Sequence, residues 1–308
     1  MRDSAIAFAP ASVGNVAVGF DVLGHSFQAI GDRVQARRTN TPGVTIAAIK
    51  GVVEDLPLEP ERNTAGKAVI SMVEELKLPF GIELTIEKGI PLGSGLGGSA
   101  ASAVAAVVAA GGLLERSLTK LELLKFAMHG EAVASGSVHV DNIAPSLFGG
   151  LVLTVGIDNP HVKQIPVPPS IRCVLVHPHM VLSTREARQI LKRTVELSDV
   201  IWQQANLAGF LTGCFTGDVN LIRESLEDVI IEPHRQVLIP GFKAVKGGAK
   251  AAGALGCSIS GAGPTIFAWC EEQHANAVRD AMVAGFKAHD LESDAWISTL
   301  DPAGARLV

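Results

Sequence analysis

Four glycines in six residues, Gly93, Gly95, Gly97 and Gly98, stand in the run Pro91-Leu92-Gly93-Ser94-Gly95-Leu96-Gly97-Gly98-Ser99-Ala100-Ala101-Ser102. Backbone without Cβ atoms can approach a ligand closely and turn its N–H groups toward oxygen atoms. A helix starting directly behind such a loop adds roughly half a positive charge at its N-terminus. Ser99 sets a hydroxyl where a phosphate, or the Mg2+ that accompanies it, would be met. Ala100, Ala101 and Ser102 are small enough for that helix to pack tightly. The chemistry implied is the cradling of a phosphate chain.

Two other loop types share part of this pattern. Gly93-x-Gly95-x-x-Gly98 matches the dinucleotide fingerprint, which needs a strand running into the first glycine and an acidic residue about 20 positions on. Gly89-Ile90-Pro91 interrupts that approach and one long helix follows Gly98, so a nicotinamide oxidoreductase is disfavoured. A P-loop needs a Lys directly after its glycines, and none follows here. Close packing of glycines and alanines, with no ligand, stays open for the loop taken alone.

Further candidates carry paired readings. Asn15 and Asp21, set among small and apolar residues in Ser12–Asp21, either form hydrogen-bonded turns or bind a polar ligand. Glu131, on a helix, is either an exposed carboxylate or a hard oxygen ligand for Mg2+. His139-Val140-Asp141-Asn142, in a Gly/Ser-rich loop, either recognises a carboxylate or ties the loop down. Arg188 lies one helical turn beyond Thr184 on the same face; Arg235 follows Glu232-Pro233-His234. Two Arg from separate segments either converge on a carboxylate or stand as solvated surface charges. A second glycine-rich stretch, Gly253–Thr265, which includes Gly261, can close over a phosphate or brace the first loop. His177-Pro178-His179 has no carboxylate or Cys at ligand spacing and is dismissed as a metal pair.

The elements that would position these residues are read as follows. Ile6–Ala9 is a short strand stopped by Pro10, with a Gly/Asn-rich stretch, Val13–Gly24, behind it. Val34–Arg38 and Val44–Ile49 are strands. Asn63 caps a helix over Thr64–Leu76. In Ile82–Glu87 the residues Ile82, Leu84 and Ile86 face one way, which gives a half-buried strand. A helix spans about Ser99–Leu114, and another starts at a Thr119/Glu122 capping box and runs to about Ala134. Leu147–Val155 and Arg172–His177 are strands; Ser183–Arg193, Asp199–Thr212 and Glu272–His289 are helices. Pro166, Pro168 and Pro169 mark a linker. The order predicts an α+β chain in two halves, 1–165 and 166–308.

The 308 residues are 47% hydrophobic and 19% charged, with a formal charge of −5. That apolar content builds a core, and no basic stripe points to nucleic acid. The four cysteines, Cys173, Cys214, Cys257 and Cys270, are read as reduced thiols. The apolar run Ala100–Leu114 is shorter than the roughly 18 residues a bilayer needs. The expectation is a soluble, cytoplasmic protein without membrane contact.

Three segments stand in order: an early Pro10-x-Ser12-x-x-Asn15 leading to Gly19-Phe20-Asp21, the central loop, and a late Ser260-Gly261-x-Gly263-Pro264-Thr265. In this the chain resembles the GHMP kinase superfamily. His139-x-Asp141-Asn142-Ile143-Ala144-Pro145, Phe148-Gly149-Gly150, Ser183-Thr184-x-x-Ala187-Arg188 and Ile239-Pro240-Gly241-Phe242 are similar to its homoserine kinase branch. The resemblance spans nearly the whole chain. It implies an N-terminal half like ribosomal S5 domain 2, a ferredoxin-like C-terminal half and an active site between them. It also implies ATP as phosphoryl donor at Pro91–Ser102, Mg2+ at Ser99 and Glu131, and Asn63 near adenine. Asn15, Asp21, His139, Asn142, Thr184, Arg188, Arg235 and Gly261 would surround L-homoserine, with Asp21 facing its ammonium. Asp21, Ser99 and Glu131 would be the catalytic set, with transfer direct, in line and without a dedicated strong base. A homodimer is the assembly it implies. A kinase of another alcohol such as mevalonate, or a non-catalytic binding protein of the same fold, are the alternatives. One segment departs: the family pattern Ser-Ala-Asn-Leu-Gly-x-Gly-Phe-Asp reads here Val13-Gly14-Asn15-Val16-Ala17-Val18-Gly19-Phe20-Asp21.

Overall fold

The computed structural model describes residues 2–135, 139–156, 160–300 and 303–308. The chain opens with β1 (Ser4–Gly14), β2 (Leu23–Thr39) and β3 (Val44–Gly51), then α1 (Thr64–Leu76) and β4 (Gly81–Lys88). Three helices follow, α2 (Gly98–Gly111), α3 (Lys120–Ser135) and α4 (Val140–Phe148), then β5 (Leu151–Val155) and β6 (His161–Ile165). The second half runs β7 (Ile171–Pro178), α5 (Thr184–Gln189), α6 (Leu197–Thr216), α7 (Val219–Ser225), α8 (Glu232–Arg235), α9 (Phe242–Ala251), β8 (Ala254–Ile259), β9 (Ile266–Glu271), α10 (Ala275–Lys287) and β10 (Ser293–Thr299). It ends in β11 (Arg306–Leu307), which returns to the first sheet.

The first sheet has the order β11-β1-β2-β4-β3, with β5 on β2 and β6 on β5. The β3–β4 pair is parallel and the others are antiparallel. The second sheet is antiparallel in the order β10-β7-β9-β8. One core joins the first sheet and its helices to Phe210, Phe267 and Trp269; a second lies between the other face of the second sheet and α9 and α10. Trp269 Nε1 donates to His25 Nε2 at 3.2 Å, tying β9 to β2 across the two halves. Burial lowers the His25 pKa to about 4, so the ring is neutral and its Nδ1–H donates to the Ser26 carbonyl, 3.0 Å away.

Local chemistry explains the elements nearest the site. Asn63 caps α1, accepting from Ala65 N at 3.0 Å. The Thr119/Glu122 box closes both ways: Thr119 N donates to Glu122 Oε2 at 2.8 Å and Glu122 N to Thr119 Oγ1 at 3.2 Å. Ile82, Leu84 and Ile86 are buried on one face of β4. The alanine-rich α2 is buried almost all round, between the sheet and α1, α3 and α4, which its small side chains permit.

Several expectations give way. Pro10 does not end β1: the ladder with β2 slips between Pro10 and Ala11, and that irregularity absorbs the proline. The Val13–Gly24 stretch shrinks to a turn, since β2 begins at Leu23. His139–Asn142 is not a loop: His139 stands at the residue before α4, without a side-chain capping bond, and α4 carries Asp141 and Asn142 in its first turn. Residues 136–138 of the Gly/Ser-rich stretch lie outside the described residues. Leu147 belongs to α4, so the strand starts at Leu151. The helix expected over Ser183–Arg193 is only α5. Pro166, Pro168 and Pro169 fall between β6 and β7, where the chain passes from one sheet to the other. The last strand of residues 166–308, β11, pairs with β1 of the first sheet. Among the described residues no helix is long and apolar enough to cross a membrane.

Candidate active site

The glycine-rich loop leaves β4 and enters α2. Gly93, Gly95 and Gly97 have φ of +60°, +77° and +64°, a region that side-chain-bearing residues rarely occupy. Hydrogen bonds from several segments hold the loop, among them Leu182 N to Gly93 O at 3.2 Å. Ser12 N donates to Leu96 O at 3.1 Å, Ser260 Oγ to Gly95 O at 2.8 Å, and Thr265 N to Ser94 O at 3.2 Å. The second glycine stretch therefore braces the first. A Cβ on Gly95 would stand 2.5 Å from Ser260 O and 2.7 Å from Gly263 O. Gly95→Ala is expected to push the two loops apart, weaken the binding of a phosphate-bearing ligand at the loop at least about tenfold and cost about 1–3 kcal/mol of stability. Titration with nucleoside triphosphate and denaturant titration check it; an unchanged affinity would refute the brace.

A buried ion pair lies under the loop. Lys88 Nζ bonds Asp32, and also Gly98 O at 2.9 Å and Ser102 Oγ at 2.8 Å. Asp32 accepts in addition from Gly89 N at 3.0 Å, Ile90 N at 3.2 Å and Ser102 Oγ at 2.6 Å. The start of the loop and the start of α2 are thus fixed to one carboxylate.

Ser99 Oγ donates to Glu131 Oε1 at 3.0 Å, joining α2 to α3. Glu131 is 4% exposed, and its Oε2 has no partner among the described residues. Burial pushes its pKa up to about 8, against the opposing bond from Ser99, with the Asp141 charge adding to the rise. A buried oxygen without a partner, beside a hydroxyl at the mouth of a phosphate-type loop, fits a hard divalent cation such as Mg2+.

Across the same cavity, of about 790 Å3, lies a second polar cluster. Asp21 is gripped in bidentate fashion by Arg188, at 2.9 and 3.0 Å. Asn15 ties the turn together: its Oδ1 accepts from Asp21 N at 3.0 Å and its Nδ2 donates to Gly261 O at 2.8 Å. Arg235, 3% exposed, donates through Nη1 to Gly261 O and through Nε to Ala187 O, both at 2.9 Å. Burial lowers its pKa to about 10, helped by the Arg188 charge. Asp141 is buried, and burial together with the Asp21 charge raises its pKa to about 7. Its Oδ1 has no partner among the described residues. Burial and Arg188 lower the His139 pKa. Asn142 Oδ1 accepts from Ser12 Oγ at 3.0 Å. Asp21, His139 and Asp141 bring one ligand atom each within 4.8 Å of one another. With Arg188 on Asp21 and Arg235 nearby, that field suits a single positive charge better than a divalent ion.

Two family models match the chain, "GHMP kinases N terminal domain" over residues 63–150 and "GHMP kinases C terminal" over residues 210–288. A homoserine kinase of Xylella fastidiosa strain 9a5c is 52% identical over 303 residues, 98% of this chain and 93% of that protein. One from Chloroherpeton thalassium is 44% identical over 98% of each chain. The crystal structure of homoserine kinase from Cytophaga hutchinsonii superposes with a TM-score of 0.97 at 44% identity, over 100% of this chain and 98% of that one. The chain belongs to the homoserine kinases of the GHMP kinase family.

Within that family frame, the structure places most of the residues picked from sequence on one cavity. Asn15, Asp21, Asn63, Ser99, Glu131, His139, Asn142, Thr184, Arg188, Arg235 and Gly261 all line it, as do Pro91–Gly95, Gly97, Gly98 and Ser102. Leu96, Ala100 and Ala101 do not; each is fully buried behind the loop. The Asn63 side chain is taken up by the α1 cap and by Pro57 O, 3.0 Å away. Sequence reasoning missed Asp32 and Lys88, and named Asp141 only as part of the His139–Asn142 segment.

The departure from the family pattern has a local consequence. Ala17 stands where the pattern has glycine, and its φ is +56°, between Val16 at +43° and Asp21 at +60°. Gly14 stands where the pattern has alanine. A Cβ there would lie 2.6 Å from Asp141 Oδ2 and 2.8 Å from Asn142 Nδ2, so Gly14 lets α4 press its two polar side chains against the Asn15 turn.

Proposed function

We propose that this kinase transfers the γ-phosphate of ATP to the side-chain hydroxyl of L-homoserine, giving O-phospho-L-homoserine. One observation carries the reading: a single cavity joins a glycine loop with the backbone of a phosphate cradle to a pocket that holds two arginines and a buried carboxylate. Homoserine offers the complementary groups, a carboxylate, an ammonium and a hydroxyl.

The glycine loop and the N-terminus of α2 hold the triphosphate through backbone N–H groups. Ser99 and Glu131 would hold Mg2+, which when bound would neutralise phosphate charge. Arg188, Arg235, His139 and Thr184 receive the substrate carboxylate. Asp141, with its open buried oxygen, receives the ammonium, because both Asp21 oxygens are held by Arg188. Asn142 lies in the same first turn of α4 and orients the hydroxyl. No dedicated strong base takes part: Asp21 is engaged, and an ammonium beside Asp141 draws its raised pKa back down. A loose phosphoryl-transfer step needs little proton abstraction before bond formation, so the hydroxyl proton passes to a phosphate oxygen or to water. Cytoplasm is the compartment proposed for this ATP-dependent step. A homodimer is the proposed assembly, and Leu197, Ile201, Trp202 and Phe215 on α6 are exposed apolar surface of the kind it would cover.

Purified protein with Mg-ATP tests the reaction, with ADP release followed in the presence of L-homoserine, mevalonate, galactose or L-serine. Turnover that only homoserine stimulates is expected. Stimulation by another alcohol alone would discard the substrate pocket and keep the phosphate loop. Binding of ATP without any turnover would leave a ligand-binding protein. Asp141→Asn is expected to raise the homoserine KM about 10–100-fold, the scale of one charge-assisted hydrogen bond, with a smaller change in kcat. A KM within twofold of wild type would move the ammonium elsewhere.

A further inference from the structure

The turn that carries Asn15 and Asp21 also sets an aromatic ring among the arginines. The guanidinium carbons of Arg188 and Arg235 lie 5.4 and 5.2 Å from the centroid of the same ring, that of Phe20. Both arginines are anchored at their edges. Arg188 uses Nη1 and Nη2 on Asp21, and Arg235 uses Nε on Ala187 O and Nη1 on Gly261 O. Those anchors come from different segments, and they leave two like charges side by side in a partly buried pocket. That proximity is felt, since Arg188 helps to lower the Arg235 pKa.

An acidic residue in the place of Phe20 would relieve the repulsion, but it would also satisfy the arginines and compete with any incoming anion. An aliphatic side chain would leave the repulsion to water. A ring does neither. Its negative face attracts both cations and excludes solvent, and it carries no net charge to set against a carboxylate. We propose that Phe20 is a positioning residue that fixes the spacing of Arg188 and Arg235, and so selects a substrate bearing a carboxylate beside its ammonium. The inference rests on the reading that these arginines receive the homoserine carboxylate. Asp21, at the next position, secures Arg188 from the edge while Phe20 holds it from the ring side; the Gly19 N–H donates to Asn15 O at 2.9 Å and fixes the turn that presents both.

The test compares L-homoserine with 3-amino-1-propanol, which has the same hydroxyl and ammonium but no carboxylate. The readouts are the KM for homoserine, kcat, and the inhibition constant of 3-amino-1-propanol against homoserine. In Phe20→Leu the homoserine KM is expected to rise about tenfold or more, the scale of two partly desolvated cation–π contacts. The kcat is expected to stay within about threefold and the inhibition constant within about twofold. Phe20→Tyr, which keeps the ring, restores the KM. If KM and inhibition constant rise together, Phe20 merely supports the turn and the proposal falls. An unmoved homoserine KM in Phe20→Leu, with homoserine-dependent turnover in wild type, overturns this inference alone. Wild-type turnover that homoserine does not stimulate overturns the substrate reading and this inference with it.

Discussion

Glu131→Gln is expected to lower kcat with Mg-ATP about a thousandfold, equivalent to about 4 kcal/mol of lost transition-state stabilisation. The fold should survive the change. With a pKa raised to about 8, the Glu131 carboxyl is protonated near neutrality in the ligand-free protein, and a glutamine has the same shape and keeps an acceptor for Ser99 Oγ. What glutamine lacks is the anionic oxygen that a divalent cation needs. The same raised pKa gives a second readout. A carboxyl held above its ordinary 4.5 makes a contribution to stability that is complete below that value and is lost as pH rises through about 8. Ligand-free wild type is therefore expected to lose Tm steadily between about pH 5 and pH 8. The loss should be smaller in Glu131→Gln, where Asp141, raised to about 7, and the buried Asp228 and Glu232, also raised, keep that sign. Mg-ATP should offset the loss in wild type and not in the variant. Turnover within tenfold of wild type, or identical Tm slopes, would remove Glu131 from the cation site.

Lys88→Met is expected to cost about 3–5 kcal/mol of stability, because it strands the Asp32 carboxylate in a site that is fully buried. The remaining donors to Asp32, from Gly89, Ile90 and Ser102, solvate the charge without neutralising it. The loop should suffer as well, since Lys88 also holds Gly98 O and Ser102 Oγ, and ATP affinity is expected to fall with stability. Adding Asp32→Asn removes the stranded charge and should recover more than half of the loss, because a neutral pair is less costly to bury than one unpaired ion. Urea denaturation of the two variants decides it. A single-variant loss below about 1 kcal/mol would show that water reaches the pair.

What the sequence reveals follows the range over which each signal acts. The glycine loop is legible because positive φ has few tenants, and α1 and α3 because Asn63 and the Thr119/Glu122 box close over three residues. Longer-range features hide. Asp32 and Lys88 lie 56 positions apart, and nothing local joins them. Yet a signal for Lys88 exists: it continues the parity of Ile82, Leu84 and Ile86, so it points inward from β4 like them. The alternation of β4 is legible only as far as Glu87, one residue short of Lys88. Asp141 was hidden by a different error. A loop was expected around it, whereas α4 turns its side chain into the cavity. The short α7 carries a signal too, the Asp218 cap on Asn220 N and Leu221 N at 3.1 and 3.0 Å, but helices this short owe more to their surroundings than to their own residues. The first part of β2 was missed because Gly24, His25 and Ser26 show no alternation; all three are buried in the sheet.

The pairing of β11 with β1, Ala7 with Leu307 and Phe8 with Arg306, has a consequence for how the molecule is made. Residues about 300 positions apart must meet, among the longest closures a chain of this size can require. During synthesis the first half can assemble its helices and most of its sheet, but the outer edge of β1 stays unpaired until the second half has been produced. An uncovered strand edge invites pairing with other chains. The tail therefore acts as a late seal over the nascent protein, laid down only after the phosphate loop and the pocket it faces have been translated.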